Sequence, residues 1–282
     1  MNEQIEISNS INILLLGDIC SESGREAVIK YLPKIQHEEN IFFTIAEAEN
    51  VANGYGITPK LANELFSAGI DCITLGDHFL DRKDIVTMLI SDNRILRPVN
   101  FPNEVPGIGS YIYTKNNTKI AVISLLGRVY LKPIDCPFRA VHNLLNEIIT
   151  QTPNIIIDFH AEATAEKQAL GWFLDGSVSA VVGTHTHVQT ADERILPNGT
   201  AYITDMGMCG AMDSVLGMRI DLSIKKIMYN IPLKLEPANK NIHLQGVILS
   251  IDQSTGKAQL IKRYDKAIIE SENVNIESNN LK

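Results

Sequence analysis

The sequence predicts an α/β fold, on three observations. Short apolar, β-branched runs recur along the chain, with helical stretches between several of them. Several of those runs are continuous rather than alternating, the pattern of strands covered on both faces. The chain has 282 residues, 45% of them hydrophobic, which is enough for a sizeable core.

The elements follow in chain order. Ile11–Leu16 reads as the first strand, and Ser23–Leu32 as a helix with Pro33 near its end. Ile41–Ala46 is a second strand. Thr58 caps a helix with Pro59 at its first position, which runs to about Ser67 and stops at Gly69. Asp71–Leu75, Ile120–Leu125, Ile155–Phe159, Ala180–Gly183 and Ala201–Thr204 follow as strands. Between them Arg97–Gly109, with three prolines and two glycines, reads as a long surface loop. Leu244–Ile251 and Ala258–Arg263 flank the turn-rich Asp252–Lys257 and form a hairpin. Residues 11–268 read as one domain, between a polar flexible segment 1–10 and a polar flexible tail 269–282.

Charge and cysteine usage exclude several classes. The formal charge is −8 and no stretch is strongly basic, so the footprint of a long nucleic-acid partner is missing. Cys20, Cys72, Cys136 and Cys209 show neither paired nor zinc-finger spacing, which suits reduced thiols and a cytoplasmic protein. The first ten residues lack the basic and apolar regions of a signal peptide, and no apolar run is long enough to span a bilayer.

The residues that follow the strands carry the chemistry. The first strand ends in Asp18, the second in Glu49-Asn50, the third in Asp77-His78. The Ile155 strand ends in His160, and the Ala180 strand in His185-Thr186-His187. Carboxyl ends of strands form the ligand crevice of an open α/β sheet, so five strands would deliver these groups to one edge. Any one of them alone has an ordinary reading: Asp18 as a turn residue, His160 as a hydrogen-bonded core histidine. Their joint placement points instead to two metal ions. Oxygen ligands with imidazoles and no thiolates suit Mn, Fe or Zn. Two cations roughly 3.5–4 Å apart suit phosphoryl transfer, and their repulsion calls for a bridging carboxylate, either Glu49 or Asp77. An extended His185–His187 loop would turn its two rings to opposite sides, toward two neighbouring ions. Asp158 reads as structural, Asp175 and Asp205 as turn residues, Asn53–Gly56 as a plain turn, and Trp172 as packing.

The segments GDI, AEN, GDH, DFHAEAT and VVGTHTHVQTAD, in that order from Ile11 to Lys266, resemble the YmdB-type bacterial calcineurin-like metallophosphoesterases. The resemblance implies a four-layer sandwich of two mixed β-sheets flanked by helices. It implies a dinuclear iron or manganese centre and hydrolysis of 2′,3′-cyclic nucleotides or similar small phosphodiesters, in a homo-oligomer. Carried over residue by residue, it makes Asp18, Asn50 and His187 ligands of one ion and Asp77, His160 and His185 ligands of the other. Glu49 becomes the bridge, and His78 the proton donor to the leaving oxygen. Asp77 stands where the family usually has Asn, and Ala48 where it has Gly. The extra carboxylate should tighten cation binding and repel an anionic substrate. Phosphomonoester hydrolysis at the same centre is the alternative within enzymes; a metal-binding regulatory protein is the alternative outside them.

Overall fold

The computed structural model describes residues 9–268. The flexible tail expected after 268, and the N-terminal segment as far as residue 8, lie outside the described residues. Ser10, expected in that segment, already belongs to the first strand.

Among the described residues, fourteen strands form two mixed sheets. The first contains β1 (Ser10–Leu16), β2 (Asp18–Ile19), β3 (Ile41–Glu47), β4 (Cys72–Thr74), β5 (Ile95–Leu96), β12 (Met208–Ala211), β13 (Ile242–Asp252) and β14 (Ala258–Ala267). Its order is β2-β12-β13-β1-β3-β4-β5, with β14 added on β13. The strands β1, β3, β4 and β5 run parallel, while β13 is antiparallel to β1, β12 and β14. The second contains β6 (Ser110–Lys115), β7 (Thr118–Leu126), β8 (Ile155–His160), β9 (Ala180–Thr184), β10 (Arg194–Ile195) and β11 (Ala201–Ile203), in the order β10-β11-β9-β8-β7-β6. Its centre, β7-β8-β9-β11, is parallel and its edges antiparallel.

The two-residue period of a strand explains the layering. In β1, Ile13 and Leu15 pack between the sheets, while Leu14 and Leu16 pack outward under helices. In β8, Ile156 faces the other sheet, and Ile155, Ile157 and Phe159 face the outer layer. Because both faces are covered, the runs read as continuously apolar. The outer layers are α1 (Ser21–Glu38), α2 (Pro59–Ser67) and α3 (Val86–Ser91) on the first sheet, and α4 (Pro137–Ile148) and α5 (Thr164–Phe173) on the second. The result is the four-layer sandwich of two mixed sheets that the resemblance implied. A sixth helix, α6 (Ile220–Tyr229), buries only Ser223 and leaves Ile220, Ile224 and Ile227 exposed.

Three expectations need correction. The first helix does not end near Pro33 but continues to Glu38, because Leu32 and Ile35 are both fully packed under β1 and hold the last turns in place despite the lost N–H. The segment Arg97–Gly109 does not run over the surface throughout. Arg97 and Asn100 are buried, Arg97 donating to the carbonyls of Pro98 and Val105 and Asn100 to that of Leu126. Trp172 is half exposed, with the Arg194 guanidinium 5.4 Å from its ring centre, so it covers a charged side chain rather than filling the core. Thr58 caps α2 as expected, its hydroxyl accepting from Leu61 N. No helix among the described residues is long and apolar enough to cross a membrane, and all four cysteines are free.

Candidate metal centre

Parallel strands ending at one edge bring the expected groups together. Asp18 follows β1, Glu49 and Asn50 follow β3, and Asp77 and His78 follow β4. From the second sheet come His160, the last residue of β8, and His185 and His187, just past β9. The approach is close enough to need glycine: a Cβ on Gly76 would overlap the His160 imidazole.

Glu49, Asp77, His160 and His185 place one ligand atom each within 4.8 Å of one another. His160 Nε2 lies 2.9 Å from Glu49 Oε1, 3.6 Å from Asp77 Oδ1 and 3.0 Å from His185 Nδ1. Beside this group, His187 Nε2 lies 3.5 Å from Asp18 Oδ1 and 3.2 Å from Asn50 Oδ1. All seven ligand-type residues read from the sequence therefore converge. His78 stands at the rim, its Nε2 4.0 Å from Asp77 Oδ2, and its N–H donates to Glu49 Oε2 at 2.8 Å. A cleft of about 380 Å³ opens over the cluster, lined by Glu49, Asn50, His78, Glu162, His185 and Leu216 among others.

The donor set fits metal ions. Asp18 Oδ1 and Asp77 Oδ1 are buried oxygens with no hydrogen-bond partner, and both point into the cluster. Burial opposes the ionisation of Asp18, yet His187 and His160 hold its carboxyl well below the usual range. The same opposition holds at Asp77, where burial is outweighed by His160. Burial likewise opposes a charge on His160, but Glu49, Asp77 and Asp18 push its pKa well above the ordinary value. This is a set of desolvated carboxylates that stays ionised only beside positive charge, which a metal ion supplies with oxygen and imidazole ligands of this kind.

Several residues around the centre were not singled out in the sequence. Glu47 is buried beside Asp18 and His160, close enough to form a second ligand-type group with them. Its carboxylate takes the Glu49 N–H on both oxygens. Burial, then Asp18 and Glu49, raise its pKa well above the carboxylate range. Glu162 Oε2 lies 3.1 Å from His185 Nε2, and Asp81 Oδ2 2.8 Å from His78 Nδ1. Lys132 Nζ donates to the Asp77 carbonyl at 2.7 Å. None of these lies at the end of an apolar run except Glu47, which the run itself absorbs as the last residue of β3.

The His185–His187 loop is not extended. Both histidines adopt left-handed backbone, φ 96° and φ 61°, a conformation costing about 1–3 kcal/mol at each non-glycine residue. Asp205, read as a turn residue, is what holds it: fully buried, it accepts from Thr186 N and Oγ1 and pairs with the buried Lys167 at 2.7 Å. Asp18 Oδ2 accepts the His185 N–H from the other side. An extended backbone would turn residues two apart to the same side, contrary to the expectation; it is the pinned left-handed backbone that makes the rings diverge, His185 toward Asp77 and His187 toward Asp18. Asp175 is a turn residue as read, accepting from Asn198 N and Thr200 N. In the Asn53–Gly56 turn, the Tyr55 ring meets the His78 ring edge-on at 5.3 Å.

The comparisons agree with this architecture. A Bacillus subtilis (strain 168) protein named 2′,3′-cyclic-nucleotide 2′-phosphodiesterase is 47% identical over 253 residues, covering 90% of this chain and 96% of its own. A crystal structure of a phosphatase from Mycoplasma pneumoniae superposes with a TM-score of 0.87 at 32% identity, covering 93% of this chain and 95% of that one. A Thermus thermophilus protein of no stated function gives 0.86 at 33% identity, covering 91% and 99%. Residues 14–264 match the family described as YmdB-like protein, and the chain belongs to that family.

Proposed function

We propose that this chain is a metal-dependent phosphodiesterase acting on 2′,3′-cyclic nucleotides, with a dinuclear iron or manganese centre. The observation that carries the reading is the convergence of seven oxygen and imidazole ligand groups from two sheets on one cluster under an open cleft. The 47% identity to a protein of that named activity supports the substrate class. Asp18, Asn50 and His187 would hold one ion, Asp77, His160 and His185 the other, and Glu49 both. When bound, such ions supply Lewis-acid stabilisation of the phosphoryl oxygens and a nucleophile at neutral pH.

His78 gives the proton to the departing ribose oxygen. Asp81 accepts from its Nδ1, which leaves Nε2 directed at the cluster and orients the ring. Tyr55 packs on that ring and keeps it at the rim. A homo-oligomer is part of the proposal, and the exposed isoleucines of α6 support it.

The test is turnover by protein loaded with Mn or Fe, with a 2′,3′-cyclic nucleotide and a phosphomonoester assayed side by side. Hydrolysis of the cyclic diester is expected to dominate; preference for the monoester would favour the phosphomonoesterase reading, and no turnover of either the regulatory one. His78→Ala should keep the metals and slow the cyclic diester by about 10²–10⁴-fold. The loss should shrink for a nitrophenolate ester, whose leaving group needs no proton. Equal losses on both substrates would remove the donor role.

A further inference from the structure

Each imidazole in the cluster has an inner nitrogen facing the other ligands and an outer nitrogen facing away. The outer partner decides where the single proton of a neutral ring sits. At His160 the outer atom is Nδ1, 3.1 Å from Thr184 Oγ1. Thr184 has one hydroxyl proton, and it goes to Asp158 Oδ1 at 2.8 Å. The other Asp158 oxygen takes the hydroxyl of Thr74. With its proton committed, Thr184 can only accept from His160, so Nδ1 carries a hydrogen, and an ion bound at the inner side takes the Nε2 lone pair in place of a proton shared with Glu49 Oε1. At His185 the outer atom is Nε2, 3.1 Å from Glu162 Oε2, an acceptor only when ionised. That places the hydrogen on Nε2 and the lone pair on Nδ1.

The two inner atoms, His160 Nε2 and His185 Nδ1, lie 3.0 Å apart. With both outer sites fixed, the contact is relieved by a positive charge at the inner side, either a metal ion beside both nitrogens or, without one, a proton shared by His160 Nε2 and Glu49 Oε1 at 2.9 Å. The arrangement follows from the fold. Thr74 on β4, Asp158 on β8 and Thr184 on β9 share the strand face that carries Cys72, Ile156 and Val182 into the space between the sheets. They form a polar layer at its site end, where an Asp at 2% exposure ties one sheet to the other.

We propose that Asp158, acting through Thr184, and Glu162 are positioning residues that set opposite tautomers on His160 and His185, so that Nε2 of the first and Nδ1 of the second bind the same ion. The proposal rests on the metal-centre reading, but its central claim concerns proton positions that can be read without turnover.

The experiment is long-range ¹H–¹⁵N correlation on histidine-labelled protein, without metal at alkaline pH and again with Zn²⁺ as a diamagnetic probe, together with Zn²⁺ titration. With Zn²⁺ bound the parent should show His160 protonated at Nδ1 and His185 at Nε2; without metal His160 should still carry a hydrogen at Nδ1, any second proton lying on Nε2 toward Glu49. Thr184→Val removes the acceptor and should mix the His160 tautomers and weaken the ion held by the two rings by about 10–100-fold. Thr184→Ser should restore both readouts, and Glu162→Ala should affect His185 in the same way. A zinc-bound parent with His160 protonated at Nε2, or a metal-free parent whose His160 lacks a hydrogen at Nδ1, overturns the proposal. So does parent-like zinc affinity with parent-like tautomers in both Thr184→Val and Glu162→Ala. A parent that takes up no zinc overturns the metal-centre reading instead, and the metal-free spectra still decide the tautomers.

Discussion

At the scale of single residues, Asp77 is the position where this centre departs from what its family resemblance leads one to expect. Two divalent ions carry four positive charges, which Asp18, Glu49, Asp77 and one anionic nucleophile would neutralise, leaving no net attraction for a phosphate. The structure supplies a partial answer. Lys132 Nζ is anchored on the Asp77 carbonyl and sits 4.0 Å from Oδ2, so one positive charge accompanies the extra carboxylate. Lys132 is half exposed, however, and solvent weakens its effect. Asp77→Asn is therefore expected to raise kcat/KM on a cyclic diester by about tenfold, or ~1.4 kcal/mol of transition-state stabilisation, while metal affinity falls. Activity and metal occupancy are to be measured side by side in the two proteins. A variant no faster than the parent at full occupancy would show that Lys132 already offsets the charge. The departure itself was legible in the sequence as an Asp in a GDH segment, but its compensation was not, because Lys132 comes from a loop 55 residues away.

At the scale of elements, strand ends were legible and the devices that aim them were not. Continuous apolar runs ending in Asp, Glu or His mark a strand delivering a ligand, and Asp18, Glu49, Asp77, His160, His185 and His187 all lie where that reading puts them. What escaped were partners that only tertiary contact creates. Asp205 follows an apolar run as any turn residue does, and Lys167 sits in a helix where solvent exposure is the ordinary expectation. Together they form an ion pair at 1% and 0% exposure beneath the strained loop after β9. Thr186, whose N–H and hydroxyl both bind Asp205, passes that anchor to the histidines on either side. Removing one member of such a pair leaves a buried charge uncompensated, which costs about 3–5 kcal/mol. Lys167→Met should accordingly lower the unfolding free energy by about that amount in denaturant titration. It should also weaken metal uptake, since the left-handed backbone at His185 and His187 loses its support. A loss below about 1 kcal/mol with metal uptake intact would mean that Asp18, accepting from His185 N, holds the loop unaided.

At the scale of the whole molecule, the centre is a joint between the two sheets. Asp18, Glu49, Asn50 and Asp77 come from the first sheet, and His160, His185 and His187 from the second, so ions held by both sets would cross-link the layers at one end. Beneath that end the inter-sheet core is apolar, built from Ile13, Leu15, Val122, Ile156 and Val182, and it holds together without metal through burial and the Thr74–Asp158 bond between the sheets. The fold should therefore survive without metal but be less stable. An ion that binds only the native state stabilises it by about 2.7 kcal/mol when present at about a hundred times its dissociation constant. For a chain of this size that corresponds to about 5 °C or more in Tm. Treatment with a chelator should lower Tm by at least that amount, and added Mn should restore it. Glu49→Ala separates the shared role from a one-sided one. Glu49 touches His160 through Oε1 and takes the His78 N–H on Oε2, and it lies in the group formed by Asp77, His160 and His185. If it serves both ions, the variant should lose both on elemental analysis, and its Tm should no longer respond to the chelator. Loss of a single ion, with part of the Tm response kept, would assign Glu49 to the second ion only and turn attention to Glu47, the other carboxylate beside Asp18 and His160.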